Sequence, residues 1–143
     1  MFGLGNKDEE IDYFPKYQSF FNRTASCGVS DEASKRKLKI RRAADYIQEN
    51  DVQSIDFLKI DTEGFEFEVL KGFDTYLEGV KYIQFEYGGT FMDNGVKLKD
   101  VVDYLSDRGF VEFSYLTGIG MHPITDFTDH YQYCNIVCCN SRK

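Results

Sequence analysis

Positive charge, histidine and long apolar runs are all scarce in this chain. Lysine and arginine number 17 against 24 acids, a formal charge of -7, which disfavours a phosphate-backbone partner because nucleic-acid binding needs a cationic surface to displace counterions. The one basic cluster, Lys35, Arg36, Lys37, Lys39, Arg41 and Arg42, alternates with Leu38 and Ile40. That alternation reads as the solvent face of a strand in preference to an anion site. No run approaches the roughly 18 apolar residues of a membrane span, and "MFGLGNKDEE" lacks the charged-then-apolar order of a signal peptide, so a cytoplasmic location is expected. Cys27 stands alone, and Cys134, Cys138 and Cys139 crowd the C-terminus without a CxxC pair or a histidine at ligand spacing. They read as reduced thiols of a late, buried strand and not as a zinc site. Also missing are a serine nucleophile elbow, a cysteine–histidine pair and an HExxH pattern, which weakens hydrolase readings. Repeats, linkers and low-complexity tracts are missing as well.

What is present is a globular composition, 42% hydrophobic and 16% aromatic over 143 residues, enough for one domain with its own core. Residues 1–23 mix glycines, acids and aromatics without a period and read as an irregular segment; residues 24–143 read as the folded domain. A short strand, a turn at Gly28 to Ser34 and a strand at Lys37 to Ile40 suggest a hairpin, followed by a helix from Arg41 to Asn50. "SIDFLKI" is nearly continuous in apolar residues, as expected of a strand buried on both faces of a parallel sheet, which would place Asp61 at the end of a central strand. Phe65, Val69 and Phe73, with Leu70 beside them, then recur at helical spacing up to Gly72 or Gly79. "VKYIQFEY" reads as a second buried strand, "GGTFMDNG" as a loop, and Leu98, Val101, Val102 and Leu105 as a helix ending near Gly109. "FVEFSYL" and "YCNIVCC", joined through Gly118, Gly120, His122 and Pro123, read as an antiparallel pair. The order is that of an α/β sheet with an antiparallel edge.

In such sheets, ligands bind beyond the carboxyl ends of the parallel strands. Asp61 and Glu86 end the two buried strands, and Glu63 and Glu66 follow closely, so one rim gathers negative charge suited to a divalent cation, a cationic substrate group or general-base work. Gly64 is the hinge at which strand turns to helix. For Glu63 and Glu66 a simpler account competes: acids near a helix N-terminus gain about 0.3–1 kcal/mol from the helix dipole. His122 and His130 read as surface residues.

"IDFLKIDTEGFEFEVLKGF", preceded by "RRAADYIQEN" and followed by "VKYIQFEY", resembles the second half of the FkbM family of S-adenosylmethionine-dependent methyltransferases through its LKID-x-EG-x-E-x-x-VLKG signature. The resemblance spans about residues 24 to 139. It implies a Rossmann-like class I methyltransferase fold, α/β, with a mostly parallel sheet and an antiparallel C-terminal edge. It also implies methyl transfer to an oxygen, often on a sugar or natural product. Asp61, Glu63, Gly64 and Glu66 would line the cofactor crevice, Asp61, Glu63 and Glu86 would serve catalysis, and Tyr87 would lie close by. The glycine-rich loop and the acid-ended strand that hold the cofactor in such folds are not recognisable ahead of this stretch, since "FGLGN" has no strand before it. The domain is therefore expected to be truncated at its N-terminus, a methyltransferase by class whose activity as an isolated chain is left open. Two other readings stand beside this one, a non-catalytic binding or assembly module and a small acid-lined metal-binding domain. The expected partners are a small-molecule or glycan acceptor, and a second copy or other partner covering an exposed sheet edge; nucleic acid and membrane are not expected.

Overall fold

The computed structural model describes residues 2–13 and 36–143. The first strand and turn of the expected hairpin lie outside the described residues. The described strand, β3 (Arg36–Arg42), sits between β1 (Gly3–Gly5), to which it is parallel, and β2 (Glu9–Tyr13), to which it is antiparallel. β1 and β2 stand where the sequence shows no period, because strands of three and five residues are held by pairing to β3 and not by an amphipathic pattern of their own. The basic residues of β3 point outward while Ile40 is buried. Lys37 pairs with Asp12, Arg41 grips both oxygens of Glu49 at 2.7 and 2.6 Å, and Arg42 reaches Asp45 and Asp74. These surface pairs neutralise Lys37, Arg41 and Arg42 within the chain, each contributing little to stability.

α1 (Ala43–Glu49) follows, burying Ala43, Ala44 and Ile47 as its spacing predicts. Then come β4 (Ile55–Ile60), α2 (Glu66–Gly72), a 3-10 segment (Asp74–Gly79), β5 (Val80–Tyr87), α3 (Gly89–Asp93), α4 (Leu98–Ser106), β6 (Phe110–Thr117), β7 (Gly120–Pro123) and β8 (Cys134–Asn140). α3 replaces the expected loop because Thr90 and Phe91 find burial there. The five strands are ordered β4-β5-β8-β6-β7. Only β4 and β5 run parallel; β8 enters between β5 and β6 and runs against both, and β7 forms a hairpin with β6. The expectation of a mostly parallel sheet is thus corrected to a mixed, largely antiparallel one, and the C-terminal strand is interior while β7 forms that edge.

β4 also departs from expectation. Among the described residues it is an edge strand, hydrogen-bonded to β5 alone, with Asp56, Phe57 and Lys59 exposed. An apolar run announces a strand but does not count its neighbours. On one face of the sheet Ile83, Phe85, Tyr87, Ile136 and Cys138 are buried in a core with Val69 and Leu70 of α2 and Leu98, Val101, Val102 and Leu105 of α4. Each such side chain contributes up to about 1.5–3 kcal/mol. On the other face Phe57, Tyr82, Cys139 and Val111 lie in register across four strands, with Phe57 53% and Tyr82 41% exposed.

The glycines of "FGLGN" serve packing. A Cβ on Gly72 would collide with the Gly5 carbonyl oxygen, so the backbones of β1 and α2 touch directly. β1 leads to β2 and not to a helix, which is not the strand–loop–helix order of a cofactor-binding loop. Among the described residues no helix is long and apolar enough to cross a membrane.

Candidate active site at the ends of β4 and β5

β4 ends at Ile60 and releases the chain into a turn whose backbone is left-handed at two successive positions, Glu63 with φ 55° and Gly64 with φ 106°. Glycine adopts that conformation at no steric cost; glutamate does not. α2 then begins at Glu66, whose side chain is fully buried. Its Oε1 accepts from Thr62 N at 2.8 Å and Thr62 Oγ1 at 3.1 Å, and its Oε2 accepts from Gly64 N at 2.9 Å. Glu66 therefore closes the turn from beneath. Burial pushes its pKa up, against the lowering effect of the bonds from Thr62 and Gly64. From the far side, Asn94 Nδ2 donates to the Gly64 carbonyl and ties the end of α3 to the same turn.

The turn and the end of β5 bring three carboxylates together. Asp61, Glu63 and Glu86 each place an oxygen within 4.8 Å of the others. Asp61 is exposed and paired with Lys59 at 2.7 Å, whereas Glu63 and Glu86 are partly buried. Glu86 Oε2 is buried and has no hydrogen-bond partner among the described residues. Burial first, and then the charges of Glu63, Asp61 and Glu66 against the opposing pull of Lys59, raise the Glu86 pKa from 4.5 to about 7. This carboxyl exchanges its proton near neutrality, as a general base or acid must. A groove of about 310 Å³ runs along β4 from Leu4 and Phe73 to Asp61 and Thr62, with Asp61 the one acid of the rim in its lining.

The remaining candidates lie elsewhere. Tyr87 points to the opposite face from Glu86 and is fully buried. Its hydroxyl donates to Asp129 Oδ1 at 3.0 Å and accepts from the N–H groups of His130 and Tyr131, both at 3.1 Å. Burial pushes its pKa up to about 12, so it is a latch for the 124–133 segment. His122 is exposed on β7, and His130 meets Tyr115, a contact that local sequence pattern does not reveal. Asn94 was equally hidden. The buried role of Glu66 does carry a sequence signal, the two-residue spacing after Gly64 that lets a carboxylate reach back to the turn's N–H groups. Cys138 is buried in the core while Cys139 faces the other side of β8, so these neighbours do not converge on one ligand.

Convergent carboxylates at the carboxyl ends of two parallel strands, beside an apolar groove, define a ligand-binding rim of the α/β type. The sequence profile of the methyltransferase FkbM domain matches residues 2–112, from β1 into β6. The chain belongs to the FkbM methyltransferase family. No curated protein and no solved structure matches it significantly.

Proposed function

We propose that the chain is an S-adenosylmethionine-dependent methyltransferase with a Rossmann-like site at the β4 and β5 ends, acting on a hydroxyl oxygen of a sugar or natural product. The observation that carries this reading is Glu86, with an orphaned buried oxygen and a pKa near 7, facing Asp61 and Glu63. The donor set suits the cofactor's charge: three carboxylates favour a cation, and the groove beside them offers apolar walls. When bound, S-adenosylmethionine supplies a methyl group on a sulfonium, whose sulfur–carbon bond breaks to leave a neutral thioether as the acceptor's oxygen–carbon bond forms. Asp61 and Glu63 supply the field that holds the positive charge. Glu86, ionised, takes the acceptor hydroxyl's proton on Oε2. Gly64 and Glu66 hold the turn that presents these acids. The edge of β4, unpaired among the described residues, and the exposed Phe57–Tyr82 row support self-association or a covering partner, and the free thiols of Cys134, Cys138 and Cys139 support a reducing, cytoplasmic setting.

Calorimetric titration tests the assignment. S-adenosylmethionine is expected to bind with micromolar affinity, and Asp61→Ala is expected to abolish binding while leaving the melting temperature unchanged, since Asp61 is exposed. No binding at millimolar cofactor would turn the reading toward a non-catalytic module. A second reading has one observation in its favour, the oxygen atoms of Asp61, Glu63 and Glu86 gathered as hard-cation ligands would be. Tight Mn²⁺ binding without cofactor binding would establish that one instead.

A further inference from the structure

Gly64 is held from two sides. Its N–H donates to the buried Glu66 Oε2 at 2.9 Å, a bond within its own turn, while its carbonyl accepts from Asn94 Nδ2, thirty residues further along the chain. Asn94 caps the C-terminal end of α3, the short helix that starts at Gly89, just beyond Glu86 near the end of β5. β4 pairs with β5 up to Ile60 and Phe85, so the Asn94 bond closes a ring of which one arc carries Asp61 and Glu63 and the other carries Glu86. A clasp between the arcs fixes how Glu63 stands against Glu86.

Asn94 is also followed by Gly95, the one Asn-Gly step in the sequence. With no side chain on Gly95, and nothing within 4 Å of where a Cβ would stand, its peptide nitrogen is open to the preceding side chain. That nitrogen can give up its proton and attack Asn94 Cγ. The new carbon–nitrogen bond closes a five-membered succinimide, the Cγ–Nδ2 bond breaks, and the side-chain amide leaves as ammonia with the proton. Water then adds to either ring carbonyl, leaving aspartate or isoaspartate at position 94. In the fold both reacting nitrogens are engaged: the Gly95 N–H donates to the Met92 carbonyl at 3.0 Å, and Nδ2 donates to Gly64. Ring closure therefore waits on the opening of the clasp and of the last turn of a five-residue helix, a local event of lower cost than global unfolding. The product cannot re-form the clasp. A carboxylate has no hydrogen to offer a carbonyl oxygen, and it adds a further negative charge near Glu63.

We propose that Asn94 is a modification site, a clasp that positions the Glu63–Gly64 turn and is lost when deamidation converts it to aspartate or isoaspartate. Its consequence for cofactor binding rests on the function proposed above; the clasp and its chemistry are tested without the cofactor. The full chain is incubated in mildly alkaline buffer, folded and in urea, with peptide mass and isoaspartate content read over time, while NMR follows the Glu63 and Gly64 amides of the folded sample. The expected result is conversion at Asn94 ahead of every other asparagine, roughly tenfold slower in the folded chain than in urea. Both amides should shift as conversion proceeds, a change that Asn94→Asp shows from the start and Asn94→Ala shares. Gly95→Asn separates chemistry from contact: asparagine tolerates the left-handed φ of 64°, so this variant should keep the wild-type amide shifts while conversion slows. Equal rates in folded and unfolded chains, another asparagine reacting first, undiminished conversion in Gly95→Asn, or wild-type Glu63 and Gly64 amides in Asn94→Asp would each overturn the proposal. Where wild type binds S-adenosylmethionine, Asn94→Asp should bind it roughly tenfold more weakly at an unchanged melting temperature, since the residue is exposed. Equal affinity would keep the clasp and strip it of a role in methyl transfer, whereas a wild type that binds no cofactor would overturn the function proposed above and leave the clasp to be decided by the amide shifts and conversion rates.

Discussion

Glu66→Ala is expected to lower the unfolding free energy by about 3 kcal/mol, because it strips acceptors from the N–H groups of Thr62 and Gly64 and leaves a void where a fully buried side chain had been. Removing a costly buried acid offsets part of the loss. Against a total stability of about 5–15 kcal/mol for a domain, this is a large effect. Glu66→Gln keeps the shape but turns an amide toward one of two N–H donors, so it should cost about half as much. Urea denaturation gives the ordering, wild type above Gln above Ala. The turn also presents Asp61 and Glu63, so cofactor affinity should fall in the same order. An alanine variant as stable as wild type would show that the turn does not need its buried carboxylate.

The second large effect concerns pH. Glu86 has its pKa raised from 4.5 to about 7 in the folded chain, by burial and then by Glu63, Asp61 and Glu66, with Lys59 opposing. Between those values the folded state keeps a proton that the unfolded chain has lost, so the contribution to stability is full below about 4.5 and disappears as pH rises through about 7. At about 1.4 kcal/mol per unit the full effect would exceed 3 kcal/mol. Glu86 is only partly buried, and screening reduces the expected loss to about 1–2 kcal/mol. Glu86→Gln should remove this pH dependence and leave the protein more stable than wild type at pH 8. Methyl transfer should show the opposite slope, rising as Glu86 ionises and nearly lost in Glu86→Gln. Denaturation curves across the range, with initial rates on the same samples, check both. A wild type whose stability is flat between pH 5 and 8 would mean that Glu86 titrates as an ordinary surface acid.

These two acids also mark where sequence reasoning reached and where it stopped. The joint of β4 and α2 was legible because an apolar run, a glycine and a helical repeat meet within a few residues, and the four core positions of α4 were legible for the same local reason. The position of β8 was not, since nothing in "YCNIVCC" says which two strands it will separate, and the mostly parallel sheet that the family resemblance implied gave way at that point. The edge position of β4 was hidden too. Side-chain alternation could have separated Tyr87 from Glu86, because neighbours on a strand face opposite sides. The meeting of Tyr115 with His130 could not be foreseen, as it depends on how the 124–133 segment folds back onto Tyr87.

Glu63 has a wider consequence. Its left-handed backbone, with φ 55°, is one that glycine would occupy with up to about 1 kcal/mol less strain. Glu63→Gly should therefore raise the melting temperature or leave it unchanged while weakening the acid rim; a clear drop would mean that the carboxylate braces the turn. If the substitution does stabilise, thermostability engineering and catalytic fitness pull residue 63 in opposite directions. A variant library sorted by heat resistance alone would then enrich for chains that fold better and work worse, and residue 63 would be among the first positions to show it.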